Sequence, residues 1–296
     1  IEELLESIIQ ARSDRGPKVA QMVNFNEMFK QDHGMAQHCT IESVRSPKSW
    51  KLSCTNSNEK EEVVLHIQGI VCDKNLPPIK QPFTVEHRQR KYLKQSIMLT
   101  GLGGRSFAQC IDNIYAIQDM FAPEFPQDAL EDWTPSRCGQ FDAVDMSNRY
   151  FTSQYDMNGE APIPFQSDVD PDRILTNALS NDFVHLQENE VEYYEAMQEP
   201  DEPIRYIEMK PNRICVGDAI EAQLSFSVVP LRGKKHKMVL TLWAITLLDC
   251  SPLRHAIAAR RMSVGSRLTL KRKTGYTDDE DFGEVARKKL SKMSVD

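Results

Sequence analysis

The stretch from Pro203 to Asp249 constrains this chain more than any other. Within it, ICVGDAIEAQLSFSVVP and KMVLTLWAITLLD flank the basic turn LRGKKH. Ile220, Ala222, Leu224, Phe226 and Val228 alternate with Glu221, Gln223, Ser225 and Ser227. Period two with one polar face predicts a half-buried strand. Gly217-Asp218 supplies a turn before it, and Pro230 ends it. After the turn, Met238, Leu240, Leu242 and Ala244 share one face, and Val239, Thr241, Trp243, Ile245 and Leu247 share the other. A strand apolar on both faces is covered on both, which predicts a central strand. The result is a long β-hairpin whose tip carries Arg232, Lys234, Lys235, His236 and Lys237. Such a cluster must sit in water or against an anion. It reads either as a solubilising turn that discourages edge pairing or as an anion-binding finger.

The rest of the composition is that of a globular protein, with 40% hydrophobic and 27% charged residues. No stretch approaches the ~18 uninterrupted apolar residues of a membrane span, so no membrane partner is expected. The seven cysteines are scattered, odd in number and free of any CxxC pair. That pattern suits free thiols in a reducing compartment, nuclear or cytoplasmic. The net charge of −7 hides an asymmetry. Residues 251–296 hold eleven Lys or Arg against six Asp or Glu, leaving an acidic body with a basic tail. That argues against a nucleic-acid clamp around the whole protein and permits a local one.

Along the chain, residues 1–30 read as helical: Ile1, Leu4, Leu5, Ile8 and Ile9 share one face, and Gly16-Pro17 precedes a second periodic run. Residues 31–160 read as mixed α/β. SWKLSC, TNSNEKE and EVVLHIQGIV form a strand–turn–strand pattern, and FTVEH and QSIMLT are further strand candidates. Residues 121–171 are rich in Pro, Asp and aromatics and read as an irregular connection, with FDAVDMSNRYFTSQY contributing strands. Residues 165–250 are expected to form an antiparallel β module, either a meander or a small barrel of the oligonucleotide/oligosaccharide-binding (OB) kind. In it, NEVEYYEAMQ fits a strand or a helix. Residues 251–296 combine a basic helix with a tail expected to be disordered or to fold on a partner. LKRK and ARKKL there read as nuclear-import or nucleic-acid elements. The fold class expected is thus α+β and β-rich, with a flexible basic tail.

Gly101, Gly103, Gly104, Arg105 and Ser106 follow a strand candidate and precede a helical pattern with Phe107, Cys110, Ile111, Ile114, Ile117 and Met120 on its buried face. Glycines at a helix N-terminus, with Ser106 as its cap, are able to cradle a phosphate. The spacing is neither GxGxxG nor a P-loop, and a plain turn is the competing reading. No HExxH, CxxC or GxSxG occurs, and no His lies two residues before an Asp. His33 and His38 are five apart, which does not place them on one helix face. Asp168, Asp170 and Asp172 lack the Gly and Glu of a calcium loop, since Arg173 and Leu179 stand there. They read as a solvated turn, and His185 as a structural histidine. No cofactor or metal is called for.

The run PNRICVGDAIEAQLSFSVVPLRGKKHKMVLTLWAITLLD, with FVHLQENEVEYYE upstream and LKRKTGYTDDED downstream, resembles a protein family expanded in mushroom-forming (basidiomycete) fungi. The resemblance covers roughly residues 165–281 and implies no defined activity. Lineage-expanded fungal families of this kind are often associated with mobile elements, which implies a nucleic-acid or genome-defence role. Trp243 departs from the family, where Arg is frequent.

These readings favour a non-enzymatic binding module that takes single-stranded DNA or RNA. Arg232, Lys234, Lys235 and Lys237 would meet phosphates, and Trp243, Tyr206 or Phe226 would stack bases. The first alternative is a protein-interaction or self-assembling subunit. The second is an enzyme built on the glycine loop at 101–104.

Overall fold

The computed structural model describes residues 1–15, 21–25, 39–56, 59–80, 87–157, 159–197 and 204–251. Among them, α1 (Glu2–Arg15) opens the chain. Strands β1 (Cys39–Arg45), β2 (Lys48–Asn56), β3 (Glu59–Glu62), β4 (Val64–Asn75) and β5 (Lys94–Thr100) follow. Next come α2 (Arg105–Phe121), β6 (Leu130–Glu131), β7 (Ser136–Cys138), β8 (Phe141–Arg149) and β9 (Thr152–Ser153). The short α3 (Ile174–Ala178), β10 (Phe183–Val184), β11 (Glu192–Met197) and β12 (Arg205–Glu208) lead to the hairpin β13 (Ala219–Pro230) and β14 (His236–Asp249). Twelve strands share one mixed sheet, and β9 and β10 pair separately. The chain is β-rich α+β, as its patterning predicts.

The hairpin organises the sheet. β13 and β14 pair from Ala219↔Asp249 to Pro230↔His236. On its other side β13 pairs β4 over Ala219–Ser225, then β2 at Ser227 and Val228. β4 passes to β5, β5 to β8, and β8 meets β14 in a parallel pair at Thr241↔Ser147. The five strands β4, β5, β8, β14 and β13 therefore close into a ring. In chain order the ring reads 1-2-3-5-4, with only the 3–5 seam parallel, which is the strand order of the small OB-type barrel. The seam is reinforced by Asn148, whose amide donates to the Leu242 carbonyl at 3.0 Å. Beyond the seam β14 takes β11 as its parallel neighbour, from Glu192↔Ala244 to Glu195↔Leu247.

The ring draws three of its strands from residues 64–149, so the β structure of residues 165–250 does not pair only with itself. β8 and β9 come from FDAVDMSNRYFTSQY, the part of the irregular connection expected to contribute strands. Along β8, Val144, Met146 and Asn148 are buried on one face and Ala143 on the other, while Asp142 and Asp145 are exposed. The alternative left open for NEVEYYEAMQ resolves to a strand, β11.

Ile220, Ala222, Leu224, Phe226 and Val228 are fully buried, as are Leu65, Leu99, Val144 and Leu242. Burying each large apolar side chain contributes about 1.5–3 kcal/mol. Helix α2 adds Phe107, Cys110, Ile111, Ile114, Ile117 and Phe121 to the same core. Phe107 fits because β4 has Gly69 beneath it. A Cβ there would lie 3.1 Å from the Phe107 ring and 3.0 Å from Leu99 Cβ. The N-cap of α2 is Gly104, with Ser106 inside the first turn.

The polar face of β13, expected to be half-exposed, is buried as well. Glu221 and Ser225 are each 1% exposed or less. Arg12 and Gln68 cover Glu221, and Trp243 and Glu62 satisfy Ser225. Asp170 is buried too: its carboxylate accepts the backbone N–H of Leu175 and Thr176 at 2.9 and 2.7 Å and so holds the start of α3. The rest of the second periodic run after Phe25, His33 and His38, most of FTVEH, and all residues after Ser251, LKRK and ARKKL included, lie outside the described residues.

Candidate nucleic-acid interface

The tip spans Leu231–Lys235 between β13 and β14, closed by the Leu231 N–H donating to the Lys235 carbonyl at 2.7 Å. Gly233 and Lys234 both adopt left-handed backbone, with φ 73° and 60°. Glycine does so freely, whereas a lysine there carries strain. Arg232, Lys234, Lys235 and Lys237 are all exposed. Lys235 donates to the Asp128 carbonyl at 2.6 Å. Among the described residues none of the four has a carboxylate within ion-pair distance. Lys237 acts on Asp145 from a distance: burial raises the Asp145 pKa, Lys94 counters it, Asp73 adds to the rise, and Lys237 counters it.

A second hairpin end stands beside the tip. β2 runs antiparallel to β13 with Trp50 opposite Val228, so the β1–β2 turn carries exposed Arg45 and Lys48 to the same end of the sheet. Trp50 packs there against two rings. Phe125 is 4.8 Å from it and His236 5.1 Å, centroid to centroid, both edge-on. Lys48 Nζ lies over the Trp50 ring at 5.4 Å. His236 Nδ1 is buried without a hydrogen-bond partner among the described residues. The acidic segment from Glu124 to Asp132 borders this end, with Glu131 in register with Lys237.

The aromatics singled out in the sequence are not at the tip surface: Phe226 is fully buried in the core, and the other two are elsewhere. Trp243 is half-buried in mid-strand, and its indole N–H donates to Ser225 Oγ at 2.8 Å. Tyr206 is 51% exposed on β12, beneath the Arg12 guanidinium at 5.6 Å. It belongs to the far end of β14, next to the strand that pairs Leu247. Ten residues of strand put it roughly 30 Å from Lys237. The aromatic that does stand at the basic end is Trp50. The alternation of SWKLSC placed it on a strand, but only the pairing of β2 with β13, remote in sequence, brings it to the tip.

The glycine loop at 101–104 is shaped by packing. A Cβ on Gly101 would lie 2.1 Å from Phe107 Cβ, and Gly103 has φ +91°. The Glu6 carboxylate of α1 occupies the helix N-terminus, accepting from the Ser106 N–H at 3.0 Å and from its hydroxyl. A Cβ on Gly104 would meet that carboxylate at 2.5 Å. Arg105 is exposed on the first turn. The position where a phosphate would be held is filled by the chain's own carboxylate.

The densest buried charge is a network on the outer face of β4 and β13. Glu221 accepts from Arg12 Nε at 2.8 Å and from Gln68 at 2.6 Å, and His66 Nδ1 lies 3.2 Å away. Burial alone would raise its pKa; hydrogen bonds from His66 and Arg12 instead bring it down to about 2. Its partners come from α1 and β4, remote in sequence from β13, and no local motif announces them. Among the described residues no group of His, Cys, Asp and Glu is arranged to hold a metal ion, and no helix is long and apolar enough to cross a membrane. Compared with known proteins, the chain matches no protein-family profile and no curated protein sequence.

Proposed function

We propose that this protein is a non-enzymatic binding module for single-stranded nucleic acid, gripping phosphates through the tip of the β13–β14 hairpin. The observation that carries the reading is the convergence of two hairpin ends. Arg45 and Lys48 join Arg232, Lys234, Lys235 and Lys237 at one end of a five-stranded ring. The strained Lys234 supports it, since unfavourable backbone geometry tends to persist where function requires it. The ring order also supports it, because the loop joining the fourth and fifth strands of OB-type barrels commonly contacts oligonucleotides. The acidic body limits the contact to this end and predicts weak, salt-sensitive binding.

Fluorescence anisotropy of a labelled oligonucleotide, titrated from low to physiological salt, tests the proposal. With four phosphates neutralised, log K falls against log salt with a slope of about −3. Changing Lys234, Lys235 and Lys237 together to Ala flattens the slope by about 2 and weakens binding similarly for all sequences. No binding at low salt, or indifference to the triple change, removes the tip from the mechanism. The assembly reading then leads, supported by edge strand β12 with Tyr206 and Ile207 about half exposed. Light scattering on the eluting protein would then report a complex of more than one chain.

A further inference from the structure

Three tryptophans occur in the chain, and their surroundings differ. The indole N–H of Trp243 is satisfied by Ser225. Trp133, two residues beyond the Glu131 that pairs Lys237, packs against Tyr115 at 5.3 Å beside α2. Among the three, only Trp50 has a cation of the hairpin ends over its ring in the described residues. Its indole N–H makes no hydrogen bond among the described residues, yet it is not a buried unpaired donor, so it reaches solvent. Phe125 and His236 meet the ring in T-shaped contacts, at interplanar angles of 69° and 86°. Neither stacks parallel on it. The ammonium of Lys48 lies over the ring at 5.4 Å on a flexible four-carbon stem.

A partly exposed indole fixed by T-shaped contacts, with a displaceable cation over its ring, has the makings of a stacking platform. Lys48 is itself exposed. Moving off the ring, it stays within reach of the phosphate next to the stacked base. Arg232 and Lys234 stand across the end of β13 from it, ready for the phosphates on the other side. We infer that Trp50 stacks an unpaired nucleobase of a single-stranded nucleic acid, with Lys48 displaced from its face onto the adjoining phosphate. The inference rests on the nucleic-acid reading above and adds the site that recognises a base rather than a backbone. Because every base has a π-face, the site accepts any base and discriminates against a strand that lacks them.

The test compares a deoxythymidine decamer with an abasic phosphodiester decamer of equal charge, at low salt. The intact protein binds the base-bearing strand more tightly, and its tryptophan emission is quenched on binding. Trp50→Leu weakens binding of the base-bearing strand by about 5- to 150-fold and leaves the abasic strand unaffected. Trp50→Phe, which keeps the contacts to Phe125 and His236, retains the preference for bases but loses the quenching. If both strands bind equally to the intact protein, or if Trp50→Leu binds the decamer as well as the parent does, the platform is overturned while the phosphate-gripping tip stands. If neither strand binds, both readings fall together.

Discussion

Glu221 shows how much a single buried carboxylate demands of its surroundings. It lies in a strand that is otherwise core, and its charge is tolerable only because Arg12, Gln68 and His66 reach it. Glu221→Gln leaves the Arg12 guanidinium, itself largely buried, without its counter-charge, and is expected to cost about 3–5 kcal/mol. The folded-state pKa of about 2 against the ordinary 4.5 sets the pH dependence. The stability this group contributes, roughly 3 kcal/mol, is fully present above pH 4.5 and is lost as the pH falls through 2. Denaturant unfolding of parent and variant at pH 6 and pH 2.5 should therefore show a gap that shrinks in acid. A constant gap would mean that the carboxylate is not held by this network. Gly101 makes the opposite kind of demand, for empty space. Gly101→Ala puts a methyl group into Phe107 and is expected to cost about 1–3 kcal/mol, read as a lower midpoint in thermal unfolding. Neither residue advertises this in the sequence. Glu221 fits an exposed polar face and Gly101 a plain turn, because what decides both is a side chain from a different element.

Among elements, the hairpin was the most legible, since a strict two-residue period needs no knowledge of the partner strands. Leu224 and Leu242 face each other across it in full burial, and changing either to Ala should cost about 2–5 kcal/mol in equilibrium unfolding. A loss below about 0.5 kcal/mol at both would contradict the packing. Helix α2 was equally legible from its apolar spacing, although its cap proved to be Gly104 and not Ser106. β8 was legible only as strand character in FDAVDMSNRYFTSQY inside a Pro-rich segment, because its period is irregular: Val144, Met146 and Asn148 are buried on one face, Ala143 on the other, and Asp142 and Asp145 are exposed. The proposed interface divides the same way. The cations of the tip follow from local sequence, whereas Trp50 and Lys48 join them only through the β2–β13 register. Trp243 illustrates the converse, an aromatic on a strand face that a serine two positions from a strand bulge ties down.

For the whole molecule, ring closure is the governing fact. β13 and β14 complete a core whose other walls are β4, β5 and β8, so neither half of the chain can bury its apolar faces alone. A fragment of residues 1–160 and one of residues 161–251 should each lack a cooperative thermal transition, and mixing them should restore one. An independent sigmoidal melt of the second fragment would show instead that it is a self-sufficient domain. The same closure bears on how the protein is made. Gln68 and Glu221, bonded neighbours across the ring, are 153 positions apart. A ribosome adding about 5–20 residues per second needs about 8–30 s to supply the second after the first. Throughout that interval the nascent β4, with Leu65, Ile67 and Val71 on its core face, has no β13 to pair with. Exposed apolar strands of this kind are what chaperones capture and what aggregates recruit. Yield in a cell should therefore respond more to translation speed and to holding chaperones than the stability of the finished protein would suggest.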